Sequence, residues 1–347
     1  MLRKVDPNQK KLTMMLEKRS REVLERFSQE AVSGLSYPKL ISMMEDVKAY
    51  WKDTQRPALT SFSCEAVGGQ PSMAADASLM ITLAAAGMGI HDDIIDKSEN
   101  KHFRETILGR HSLDNALLVG DLLIIKGLSY SRKFLGKNCS PKKRGAVLEA
   151  LQNFVFEIYE GELMDISCRK NLDTDLEYYS KIMWKLTADA EACARIGAIL
   201  GGGSENDIQA LAEFGRRLGF IIHLAEELRD SLNVEGGLPH RIEYESVPLP
   251  ILYAAKSSKE TYFEVKSIIQ KPPNAKLVSD LMKLCWKTKA VNYVYNLAKQ
   301  NASEAAQKLE LLTPSLARDA LKLMMKVPLT YIKGEHYIET RYLKLNG

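Results

Sequence analysis

The chain has 347 residues, 45% of them hydrophobic, 27% charged and 7% aromatic, a composition that excludes disordered and fibrous classes. Its 48 Lys and Arg against 44 Asp and Glu leave a formal charge of +4. The charges fall in mixed-sign blocks and form no basic stripe, so nucleic acid is not the expected partner. Cys64, Cys139, Cys168, Cys193 and Cys285 lie far apart, odd in number and without a C-x-x-C, which excludes a disulfide framework and points to a reducing, cytoplasmic compartment.

The first segment, MLRKVDPNQKKLTMMLEKRS, carries charge throughout, with no apolar core leading to a small-residue cleavage site, so no secretion signal is expected. Segments 12–32, 73–95, 112–136, 141–169, 175–200, 205–233, 275–300 and 302–327 favour Ala, Leu, Met, Glu, Lys and Arg with apolar spacing of three and four, and predict consecutive helices. The most apolar stretch, Met73–Ile90, contains Asp76 and several small residues; it predicts a buried helix and not a bilayer span. Period-two alternation between turn signals is absent, and the Gly- and Pro-rich breaks are short enough to be connections inside one domain. The class is therefore all-α, and residues 1–347 are expected to form one helical bundle.

The buried helix runs into His91–Asp96, which reads H-D-D-I-I-D and gathers Asp92, Asp93 and Asp96 at a helix C-terminus. That end of a helix carries negative dipole charge, so something positive must compensate. Two or three carboxylates converging there suit Mg²⁺, which is usually held by one or two carboxylates together with substrate phosphates. A second cluster follows in Phe220–Asp230, where Glu226, Glu227 and Asp230 repeat the pattern of two adjacent acids plus one, again after an apolar approach. His240 and Arg241 downstream read as a surface turn or, as the alternative, as a cap on a loop near the second cluster, and Trp51, Trp184 and Trp286 as packing residues.

With these residues in place, the chain resembles the trans-isoprenyl diphosphate synthase family over roughly residues 30–255. The first aspartate-rich motif is matched by Asp92, Asp93 and Asp96 behind His91. The G-D-x-L-L signature is matched in part by Gly120, Asp121, Leu122 and Leu123, and the R-P that ends G-G-K-R-x-R-P by Arg56 and Pro57. The chain departs from the pattern where the family grips diphosphate. Asp53-Thr54 replace Lys-Arg, Lys101-His102 with nearby Arg104 replace an Arg pair, and Lys185 with Thr187 forms K-L-T in place of Lys-Thr. Glu162 and Asp165 stand in a G-E-x-x-D, and His223, Glu226 and Glu227 replace Gln and two Asp of the second motif.

The resemblance implies an all-α isoprenoid-synthase bundle around a central cavity, acting as a homodimer. It implies Mg²⁺-dependent condensation of isopentenyl diphosphate with an allylic diphosphate, with Asp92, Asp93, Asp96, Glu226, Glu227 and Asp230 as metal ligands and Asp92, Asp93, Lys185 and Thr187 as catalytic groups. Lys52, Arg56, Lys101, His102, Arg104 and His223 are the expected substrate-binding residues. The growing tail should run past the turns before Asp92, where Gly87, Met88 and Ala84 present no aromatic floor, implying products beyond about twenty carbons; the alternative is that Gly87 and Ala84 permit close packing of a neighbouring helix in the same space. The missing basic groups also admit a non-catalytic subunit that works with a homologous chain, and the irregular second cluster admits a class I terpene cyclase.

Overall fold

The computed structural model describes residues 7–346 apart from 102 and 273; of residues 131–138, 341, 342, 345 and 346 it describes the backbone alone. In chain order the helices begin with α1 (Pro7–Val32), α2 (Pro38–Tyr50), α3 (Gln55–Ala66) and α4 (Pro71–Ile95). A hairpin of β1 (Asn100–Lys101) and β2 (Arg104–Glu105) follows, then α5 (Ile107–Arg110), α6 (Leu113–Asn138), α7 (Pro141–Ser167), α8 (Leu176–Leu186) and α9 (Ala188–Gly201). The remainder is α10 (Glu205–Ser231), α11 (Leu238–Tyr244), α12 (Leu249–Ala255), α13 (Lys259–Ile269), α14 (Ala275–Lys287), α15 (Ala290–Glu310) and α16 (Leu316–Asn346).

The all-α class holds, with one short antiparallel hairpin among the described residues. Several expected boundaries move, among them those of segment 302–327, which is broken between Glu310 and Leu316. Segment 175–200 is two helices, because Thr187 ends α8 in a non-helical conformation and turns its hydroxyl back to the Trp184 carbonyl at 2.8 Å. Segment 275–300 also divides, at Lys289, which takes a left-handed φ of 62° after α14. Pro328 does not stop the last helix: α16 runs through it to Asn346, because buried Ile332, Glu335 and Glu339 give the later turns tertiary partners that outweigh the local penalty.

The chain divides into two compact units. The first comprises Met1–Val155, Asp189–Arg216 and Ala306–Met324, and the second Phe156–Ala188, Arg217–Ala305 and Met325–Gly347. In the first unit, Leu79, Leu83, Ala86 and Ile90 of α4 recur at helical spacing and pack with Phe27 of α1, Met44 of α2 and Leu123 of α6. Each large side chain buried this way contributes about 1.5–3 kcal/mol of transfer free energy. Helix α4 is long and apolar enough to cross a membrane, but 83% of its most apolar window is buried in the protein, so it is a core helix.

In the second unit, Leu249, Ile251, Leu252, Ala254 and Ala255 bury almost all of α12. There α16 is fastened to the start of α15 by Glu339, whose two carboxylate oxygens accept from Val291 N at 3.0 Å and Asn292 N at 2.9 Å. Burial raises the Glu339 carboxyl to about 7, against the opposing pull of those two amides and of Lys289; His336 lies 3.8 Å away. A carboxyl raised on folding favours its protonated form in the native state. Its contribution to stability is present at acid pH and is lost as pH rises from the ordinary carboxylate range through about 7. The melting temperature should therefore fall between pH 5 and pH 8, and Glu339→Gln should flatten that fall; an identical profile in the variant would assign the pH dependence to other groups.

Candidate functional site

The first acidic cluster belongs to the first unit and stands where α4 ends. Asp96 is the C-cap residue, its amide donating to the Asp92 carbonyl at 2.9 Å. Asp93 is 4% exposed, so its carboxylate leaves water at the negative end of the helix dipole. The compensating charge is Lys101 on β1. Its ammonium donates to Asp92 Oδ2 at 2.7 Å and lies 3.0 Å from Asp93 Oδ1. Burial lowers the Lys101 pKa, yet Asp92 and Asp93, with Asp96 further off, raise it well above the ordinary lysine value. Lys101, expected in a separate basic pocket, therefore sits on the carboxylates themselves. Tyr50 borders the cluster, its hydroxyl pKa raised by burial and by Asp93.

The residues around this cluster explain the G-D dipeptide in steric terms. His91 Nε2 lies 3.3 Å from Asp121 Oδ1 and 3.4 Å from the Leu117 carbonyl. A Cβ on Gly120 would meet the His91 ring at 2.5 Å, so only glycine lets the imidazole lie against α6. The same contact overturns the tail path. A Cβ on Gly87 would meet the Gly120 carbonyl oxygen at 2.4 Å and Ile124 Cγ1 at 2.7 Å. Ala84 faces Gly127 in the next contact along α6, and Met88 is 9% exposed. Gly87 and Ala84 line the α4–α6 seam and not a tunnel, so the argument from them to products beyond about twenty carbons does not stand.

Arg56, expected to grip diphosphate, has carboxylate partners of its own. Its Nε donates to Asp189 Oδ2 at 2.7 Å and its Nη1 to Asp53 Oδ2 at 3.0 Å. Burial lowers its pKa, but Asp189 and then Asp53 raise it above the ordinary arginine value. Asp53, standing where the family pattern has lysine, thus turns a phosphate-binding arginine into part of an internal ion pair. Lys52 donates to the Lys48 carbonyl at 3.1 Å. Arg104 lies 5.0 Å over the Tyr50 ring. His102 lies outside the described residues.

The second cluster belongs to the second unit and is built differently. Glu227 is 5% exposed, and Arg241 of α11 reaches it with one terminal nitrogen and Asp230 with the other. The second oxygen of Glu227 accepts from Leu249 N at the start of α12, and Tyr179 Oη donates to its first at 3.3 Å. Burial raises the Glu227 carboxyl against the pull of Arg241 and the Leu249 amide. Burial lowers the Arg241 pKa, but Glu227, then Tyr179 and Asp230, raise it well above the ordinary value. Asp165 accepts from Ser246 Oγ at 2.7 Å, and Ser246 Oγ lies 3.1 Å from Tyr179 Oη. Glu226, 60% exposed at its side chain, lies 4.0 Å from His223 Nδ1.

Two further expectations change here. Lys185 donates to Glu160 Oε2 at 2.7 Å. Thr187, expected as catalytic, is fully buried with its hydroxyl on the Trp184 carbonyl, so it terminates a helix and faces no cavity. Arg241, for which the sequence favours a surface turn over a place near the second cluster, takes the latter place, on Glu227 and Asp230. Asp189 and Tyr179 were missed from the sequence. The Asp53–Arg56 pair, three residues apart, and the Arg241–Glu245 pair, four apart, had local signals.

Among the described residues no group of three or more His, Cys, Asp or Glu side chains stands close enough to hold a metal ion. Asp92 and Asp93 nevertheless fit a hard cation that takes its remaining ligands from phosphate, because their oxygens already converge on one cationic nitrogen. Glu227 and Asp230 do not fit, since they turn to two different nitrogens of Arg241 and share no single point on which their oxygens converge.

A family model described as polyprenyl synthetase matches residues 48–285. The short chain isoprenyl diphosphate synthase of Methanothermobacter thermautotrophicus is 28% identical over 308 residues, 87% of this chain and 94% of its own. The geranylgeranyl pyrophosphate synthetase of Pyrococcus horikoshii Ot3 superposes with a TM-score of 0.81 at 24% identity, covering 92% of this chain and 98% of its own. The polyprenyl synthase of Caulobacter crescentus CB15, complexed with calcium and isoprenyl diphosphate, superposes at 0.77 with 18% identity, covering 91% and 97%. The fold of these structures is the one described above.

Proposed function

The chain belongs to the polyprenyl synthetase family, and from that premise we propose that it condenses isopentenyl diphosphate with an allylic diphosphate, using Mg²⁺ held by Asp92 and Asp93. It is a trans-prenyltransferase. The observation that carries the site is the convergence of both carboxylates within 3.0 Å of the Lys101 ammonium. The calcium and isoprenyl diphosphate of the Caulobacter crescentus structure support a divalent ion and a diphosphate substrate here. Mg²⁺ fits two carboxylates completed by phosphate oxygens.

In this reaction the allylic carbon–oxygen bond breaks and the leaving diphosphate takes the electron pair; the double bond of isopentenyl diphosphate then forms the new carbon–carbon bond to the allyl cation, and a proton is lost from the resulting cation to the released diphosphate. Asp92 and Asp93 would hold a divalent ion that neutralises charge on the leaving group. Asp92 and Asp93 hold and orient that charge at the end of α4. Lys101 is the chain's own cation at the same point, and donates hydrogen bonds to the oxygens gathered there. The turns of α4 before Asp92 are buried and apolar.

A homodimer is proposed on the same premise, supported by Leu118, Ile125 and Leu128 of α6, which leave a line of large apolar side chains exposed at helical spacing. Five cysteines, none bonded to another, support a reducing, cytoplasmic compartment. The test of the activity is the purified chain with Mg²⁺, isopentenyl diphosphate and a choice of allylic primers, with products read by chromatography; turnover by the chain alone is expected. A second reading, a subunit that needs a homologous catalytic chain, is favoured by the engagement of Arg56 with Asp53 and Asp189. Inactivity alone with activity on mixing would establish it in place of the first.

A further inference from the structure

We infer that the second acidic cluster takes no divalent metal, because Glu227 and Asp230 are each engaged by a different nitrogen of Arg241, and that, among the described residues, the chain holds metal at the first cluster, on Asp92 and Asp93. The first half of this inference stands on the geometry of the second unit; the second half rests on the function proposed above.

The three acids of the second cluster do not converge on one point. Glu226 lies beside His223 and is mostly exposed, whereas Glu227 and Asp230 turn to the two terminal nitrogens of one guanidinium. A dication approaching these carboxylates meets a guanidinium hydrogen-bonded to each through a different nitrogen, and so finds no single point on which their oxygens converge, as those of Asp92 and Asp93 do at Lys101. Glu245 lies 3.6 Å from Arg241 Nε and adds a third carboxylate to the same guanidinium.

Glu227 has a further engagement that a metal would have to break. The residue before α12 is Pro248, which offers no side-chain cap, and the Leu249 amide at the head of α12 donates instead to Glu227. Aspartate, the residue of the family pattern at this position, is one methylene shorter. The extra length carries the Glu227 carboxylate to both the α12 amide and Arg241. The Tyr179 hydroxyl completes the shell, donating to Glu227 and accepting from Arg241 Nη2 at 3.1 Å. The cluster therefore joins α8, α10, α11 and the start of α12 as a structural ion-pair network.

The experiment counts Mn²⁺ bound per chain by electron paramagnetic resonance, with inorganic pyrophosphate present, beside thermal melting in chelator. Asp230→Asn, at a side chain 39% exposed, should fold and keep the wild-type Mn²⁺ count. Arg241→Gln should melt lower in chelator and gain about one Mn²⁺, since it releases both carboxylates. Loss of a bound Mn²⁺ in Asp230→Asn overturns the inference, and this variant decides even if Arg241→Gln does not fold. Asp92→Asn should lose the remaining Mn²⁺; if it retains its ion while Asp230→Asn is unchanged, the metal site proposed at the first cluster fails and the inference about the second stands.

Discussion

Asp92→Ala should lose at least nine-tenths of its turnover while its circular dichroism spectrum stays that of the wild type. Charge neutralisation of a leaving group by a held cation supplies several kcal/mol to the transition state, and each 1.4 kcal/mol is about a factor of ten in rate. The fold tolerates the change because Asp92 is on the rim of the cluster, its side chain 37% exposed, and because Lys101 retains Asp93 at 3.0 Å. Asp93 is the more hazardous position, since its burial makes any replacement a packing change as well. Turnover above about a tenth of wild type in Asp92→Ala, with Mg²⁺ saturating, would remove the first cluster from the mechanism.

Gly87→Phe should destabilise the protein by about 3 kcal/mol or more, before any question of product length arises. Overpacking a close-packed seam typically costs about 1–3 kcal/mol and more where backbone must move. Here the first added atom already meets the Gly120 carbonyl oxygen at 2.4 Å. Helices α4 and α6 would have to separate along the line that also seats His91 against Gly120. Denaturant or thermal unfolding of the variant measures the effect. A variant that melts like wild type and makes shorter products would put the tail on this face after all, against the packing seen.

Helix periodicity made the class legible, because a 3.6-residue repeat of apolar side chains records which face must leave water, whatever covers it. Leu79, Leu83, Ala86 and Ile90 carry that record for α4, and the helix is buried as their spacing implies. The need for a positive charge beside Asp92 and Asp93 was equally legible, from the helix dipole and two adjacent carboxylates. Which cation answers it was not: Lys101 arrives on a short hairpin whose strands carry no alternation long enough to signal itself.

The rest was decided by tertiary structure, because the partner of a charge is set by where distant segments fold and not by its neighbours in sequence. Arg56 is separated by 133 positions from Asp189, and that contact makes an expected phosphate ligand an internal ion pair. Gly87 and Ala84 are small both in a tunnel wall and in a helix seam, and only the position of α6 distinguishes the two. Glu227 and Asp230 have the sequence pattern of metal ligands. Arg241, brought to them by the turn into α11, and the uncapped start of α12 give those carboxylates hydrogen-bond partners within the chain itself.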